Sequence, residues 1–231
     1  MTKREAARQL AARTAIEVGT VGVGLAVAGP AGALGAAFIK PALELVAVRD
    51  RRGLRNVERL VEAITESTGL SAEEIEAWAK SKDGRLMLTT GAIQAAYGTM
   101  YDHKVAALAA VLTENLQDDA RLDLGILIVT ALADLEAAHV RVLDAIVGGS
   151  LPPRPHGADQ LPGVALQSQL EEQFPNLAAG IVPLMSALVR HGLAEDRLAH
   201  ADDNAAWAVT PFGRGCLRYL QDGTAGVEAE H

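Results

Sequence analysis

The chain has 231 residues, 49% of them hydrophobic but only 3% aromatic, and a formal net charge of −8. That length holds one large domain or two small ones, with a core of Ala, Leu, Val and Ile that suits packed helices. A lone cysteine, Cys216, excludes an internal disulfide framework and favours a reducing compartment, and the acidic balance disfavours general affinity for nucleic acid.

The charge is uneven. Residues 1–60 carry ten basic and five acidic side chains, a net of +5, which leaves −13 on the remainder. Residues 3–28 predict a helix that is amphipathic in its first half, with Ala6, Leu10, Ala11 and Ile16 opposite Lys3, Arg4, Arg8 and Arg13. Within it begins an uncharged stretch, residues 18–39, closed by Glu17 and Lys40 and holding Gly19, Gly22, Gly24, Gly29, Gly32 and Gly35. Gly29-Pro30 interrupts the helix, a second helical piece follows over 31–40, and Pro41 fits the first turn of a third. The alternation of Val21, Val23, Leu25 and Val27 leaves a strand open as the alternative. No secretory signal is evident, so a cytoplasmic protein is expected, peripheral to the inner face of the membrane.

Residues 49–55 look like a basic turn, and 56–68 a helix with Val57, Leu60, Val61 and Ile64 on one face. Gly69 closes it, and Ser71 with Glu74 predicts a capping box for a helix that runs through Lys80 and ends by Gly84. A single long helix is expected over 85–116, its buried stripe marked by Ile93, Tyr97, Met100, Val105, Leu108, Val111 and Leu112. A short apolar helix spans 122–132, and Asp134 caps a helix over 135–147 stopped by Gly148 and Gly149. Four prolines between 149 and 162 form the clearest linker. Beyond it the sequence predicts helix 163–174, a turn at Pro175 and Asn176, a helix to His191, and a hairpin of 193–199 with 206–210. Thr210-Pro211 then caps a last helix to about Leu220, with a frayed tail from Gly223.

No catalytic motif stands out. Gly22 and Gly24 lack the third glycine of a dinucleotide fingerprint, and no Gly-Lys-Ser/Thr follows the glycines of 29–35. Glu136 and His139 have the spacing of a di-iron helix, but no second pair accompanies them. Asp102, His103 and Lys104 are expected as a solvated mid-helix patch, and Cys216, Trp78 and Trp207 as packing residues. The expectation is a non-enzyme without cofactor or metal.

Two resemblances bear on function. The string LMSALVRHGLAE…WAVTPFGRGCLRYL, with the corner Thr210-Pro211-Phe212-Gly213-Arg214, resembles the end of bacterial winged-helix domains over about 134–222. The glycine-rich start, the run KPALELVAVRDRRGLRNVERLVEAI and the helix LADLEAAHVRVLDAI resemble the layout of the bacterial abortive-infection alpha family over about 15–147. That family is associated with phage defence. The longer winged-helix end departs from its pattern.

The expected fold is mainly α: an apolar helical hairpin with basic flanks (1–55), a helical body (56–133), a winged-helix-like module with a two-stranded β wing (134–222, with the proline-rich insertion 149–162) and a tail (223–231). The expected function is a self-associating, membrane-engaging effector of abortive-infection type. Gly22, Gly24, Gly29, Gly32, Gly35 and Phe38 would make the contact, and Lys40, Arg49, Arg51, Arg52 and Arg55 would meet an anionic surface. The alternative is a winged-helix transcriptional regulator that reads DNA with Asn176, Ser186, Arg190, His191 and Arg197. The five basic against ten acidic side chains of 151–231 disfavour it, as they would repel phosphate.

Overall fold

The computed structural model describes residues 32–153, 163–197 and 205–228, with side chains from residue 48 to residue 222 within those ranges. The expected first helix, its break at Gly29-Pro30 and the glycines 19, 22, 24 and 29 lie outside the described residues. The chain divides into two compact units, Met1–Val129 with Gly223–His231, and Thr130–Asp222.

The first unit is helical. It holds α1 (Gly32–Thr68), α2 (Ala72–Lys80), α3 (Asp83–Gly98), α4 (Asp102–Gln117), a 3-10 turn (Asp119–Arg121) and most of α5 (Leu122–Asp134). Two expectations fail here. Residues 32–68 form one continuous helix, with no break at Pro41 and no basic turn over 49–55. Proline removes a single backbone donor, whereas alanine, leucine, glutamate and arginine, which fill most of the segment, are good helix formers. Of the arginines over 49–55, Arg49, Arg51 and Arg55 are exposed and Arg52 is half-buried. The only glycine among them, Gly53, is where the Tyr97 ring crosses α1, 2.7 Å from the place a Cβ would occupy.

The expected helix over 85–116 is two helices, α3 and α4, with Thr99 and Tyr101 extended between them. Asn56 holds the corner. Its side chain is buried, and Nδ2 donates to the carbonyls of Ala96 (3.0 Å) and Thr99 (2.9 Å), groups freed where α3 ends. Met100 consequently leaves the buried stripe and is 59% exposed. Asp102 to Lys104 begin α4 rather than lying mid-helix, and Lys104 is 3% exposed, not solvated. Gly84 does not end a helix but lies in the first turn of α3, where a Cβ would meet Leu122 at 2.7 Å. The core joins Val57, Leu60, Val61 and Ile64 to Leu88, Ala92, Val105, Leu108, Val111 and Leu112. The Ser71–Glu74 capping box and the positive φ of Gly69 are as expected.

The second unit runs α6 (Ala137–Gly148), β1 (Val164–Leu166), α7 (Gln167–Gln173), a 3-10 turn (Pro175–Gly180), α8 (Ile181–Arg190), β2 (Ala194–Arg197), β3 (Ala206–Val209) and α9 (Pro211–Glu228), whose last turns pass out of the unit. The sheet has three antiparallel strands in the order β1-β3-β2, so the expected two-stranded hairpin gains a strand. Residues 164–166, expected as helix, pair with Ala208, Trp207 and Ala206, after Gly163 turns the chain at φ +73°. Alternation over three residues is too short to register in a helical pattern.

The helix expected from Asn176 begins at Ile181, and Pro183 falls in its first turn, where a missing N–H removes no intrahelical bond. Asp134 does not cap α6. Glu136 does, and His139 Nδ1 accepts from the Glu136 N–H at 3.1 Å. The last helix continues past Leu220 to Glu228, into the residues expected to fray.

Candidate functional site

Two surfaces follow from this architecture, one in each unit. In the first unit, α1 carries the expected cations, yet they are not equivalent. Arg49, Arg51 and Arg55 are exposed. Arg52 donates from Nη2 to the Met100 carbonyl and lies 3.8 Å from Asp102, which also takes Arg59 at 3.0 Å. Arg52 thus ties α1 to the α3–α4 corner, a structural duty the sequence does not reveal. The corner also holds His103, whose imidazole is kept below its usual range by burial against the opposing pull of Asp102. Tyr97 donates its hydroxyl to Asp50 at 2.9 Å, and burial with that carboxylate raises the phenol. Gly32, Gly35, Phe38 and Lys40 belong to α1 in its backbone, while Gly22, Gly24 and Gly29 lie outside the described residues. Among the described residues no helix is long and apolar enough to cross a membrane.

In the second unit the expected DNA-reading residues do not form one basic face. Val182, Pro183, Ser186 and Arg190 are exposed on α8, with Val182 at 44%. Ser186 returns its hydroxyl to the Val182 carbonyl at 2.8 Å. Arg190 and His191 both turn to Asp134, at 3.9 Å and 3.0 Å. Asn176 is exposed in the 3-10 turn before α8, and Arg197 on β2 pairs with Glu195 of its own strand. Arg190 at the end of α8 and His191 just after it thus share one carboxylate, and neutral side chains fill the rest of the exposed face.

The Thr210-Pro211-Phe212-Gly213-Arg214 corner is structural. Thr210 Oγ1 donates to the Gly192 carbonyl at 2.6 Å and accepts from Gly213 N–H at 2.9 Å, while Arg214 Nη1 donates to the Val209 carbonyl at 2.8 Å. Gly213 passes so close to Leu193 that a Cβ would lie 2.1 Å from its carbonyl oxygen. Glu136 and His139 serve the α6 cap, and among the described residues no group of three or more His, Cys, Asp or Glu is placed to hold a metal ion. Burial pushes the Cys216 thiol up to about 12, far from the thiolate a nucleophile needs.

Sequence reasoning gave Asp134 to a helix cap and missed that it faces Arg190 and His191, and it missed the exposure of Val48, Met100 and Val182, three of the exposed large apolar side chains. Asp134 reads as an N-cap from its neighbours alone. Its real partners are more than fifty residues away, a distance no local pattern spans.

No known protein family, curated protein or solved structure matches the chain.

Proposed function

We propose that the chain is a non-enzymatic, self-associating protein whose second unit is a winged-helix module used for protein contact rather than for DNA. The order α6-β1-α7-α8-β2-β3 with strands arranged β1-β3-β2 supports the winged-helix reading, α8 standing where a recognition helix stands. The observation that carries protein contact is the α8 surface. A DNA reader needs Arg, Lys, Asn or Gln free for bases and phosphates. Here the exposed face is Val182, Pro183 and Ser186, and Arg190 leans on Asp134. Counted over the sequence, residues 130–222 carry six basic and eleven acidic side chains, so the neutral face is where a second copy meets least repulsion. Light scattering on the full chain tests this: a defined oligomer that Val182→Glu reduces to monomer supports it, and a monomer at all concentrations removes it.

The first unit supports a second part of the proposal, engagement of an anionic membrane surface in the manner the abortive-infection layout implies. The uncharged sequence of residues 18–39 includes the start of α1, and exposed arginines follow on the same continuous helix. Co-flotation with vesicles tests it, and failure of the full chain to float with anionic lipid removes it.

A further inference from the structure

On α1, and at the α3–α4 corner that Arg52 ties to it, exposed apolar side chains stand near arginines. Val48 is 54% exposed and Met100 59%. Arg52 lies one turn after Val48 on the same face of α1, and its guanidinium donates to the Met100 carbonyl, which brings the Met100 backbone to that face. Arg49, Arg55 and Arg59 are exposed on α1 around them. Asp102 offsets part of this charge by pairing with Arg52 and Arg59, while Arg49 and Arg55 remain turned to solvent. With Arg51 counted, five arginines stand here against Asp50, Glu58 and Asp102, a local excess of cations on a chain whose net charge is −8.

We propose that this surface, Val48 and Met100 with Arg49 and Arg55 around the structural Arg52, is where the protein docks on the headgroup layer of an anionic phospholipid bilayer. Arginines pair with lipid phosphate and phosphatidylglycerol-type charge, and the two apolar side chains enter the interface between headgroups. A nucleic acid presents phosphate without an apolar layer behind it, so Val48 and Met100 favour lipid over DNA or RNA. The proposal rests on the membrane reading above and names the surface that reading uses.

Co-flotation of the full chain with phosphatidylcholine vesicles, with and without phosphatidylglycerol, is the test. Two variants accompany it, Arg49→Glu/Arg55→Glu and Val48→Glu/Met100→Glu, each checked for folding by its circular-dichroism melt; Arg52 is left intact because it holds the corner. Wild type is expected to float only with phosphatidylglycerol, and each variant to partition about tenfold or more weakly. Wild type floating while both folded variants float equally well overturns this docking site and leaves the membrane reading to residues 18–39. Wild type failing to float overturns both. Duplex DNA binding as tight as vesicle binding, and lost in the arginine variant alone, overturns the choice of lipid.

Discussion

The two units use glycine for the same purpose but against different neighbours. In the first, Gly53, Gly84 and Gly125 let helices approach until side chains from a facing helix (Tyr97, Leu122 and Asn115) fill the place of the absent Cβ. In the second, Gly213 admits backbone, the Leu193 carbonyl itself. A side chain can shift by a rotamer, whereas a carbonyl fixed between a helix end and a strand cannot. Small residues in this sequence are therefore ordinary packing devices as well as a mark of its uncharged N-terminal stretch.

The most severe break of that comparison is Gly213→Ala. Its Cβ would sit 2.1 Å from backbone oxygen, and the second unit is expected to lose about 3 kcal/mol or more. The two tryptophans separate the units, since Trp78 belongs to the first and Trp207 to the second. Urea unfolding followed in a Trp78→Phe background is expected to register the loss.

Asn56→Ala comes next. It leaves the Ala96 and Thr99 carbonyls without their donor in a buried corner, and about 2 kcal/mol is expected to disappear from the first unit. The same urea experiment in a Trp207→Phe background reads it. Thr210→Val keeps the shape of the corner before α9 but removes the hydroxyl that donates to Gly192 and accepts from Gly213. About 1 kcal/mol is expected, again seen by Trp207.

The smallest effect is electrostatic. Hydrogen bonds from Arg85 and Lys82 hold the Asp119 carboxyl at about 2, below its ordinary 3.8. A depressed carboxyl stabilises the fold above its unfolded pKa, and this contribution is lost as pH falls from about 3.8 through about 2. Asp119→Asn is expected to lower stability slightly near neutrality and to flatten the acid limb of the stability–pH curve in that window, the two curves converging below about pH 2. An unchanged acid limb would separate Asp119 from acid unfolding.

Much of this fold was legible from local signals. The stripe Val57, Leu60, Val61 and Ile64, the Ser71–Glu74 box, the turns at Gly69, Gly149 and Gly192 and the cap at Thr210 all depend on residues within a few positions of one another. What escaped depends on long range. The break between α3 and α4 is fixed by Asn56, some forty residues earlier, so an unbroken apolar pattern over 85–116 hid it. β1 is a strand because β3 lies beside it. At the candidate sites, charge counting found the cations of α1 and the acidity of the second unit. It could not find that Arg52, Arg190 and His191 already face carboxylates, because Asp102 and Asp134 come from distant segments.

Whether α8 meets protein or phosphate is the central question, and fluorescence anisotropy of a mixed pool of labelled duplex DNA, titrated with the full chain at low salt, addresses it most directly. No saturable rise in anisotropy is predicted, because the exposed α8 side chains other than Arg190 are neutral and Arg190 lies 3.9 Å from Asp134. A saturable rise that weakens with salt and vanishes in Arg190→Ala would contradict the account and make the second unit a DNA reader.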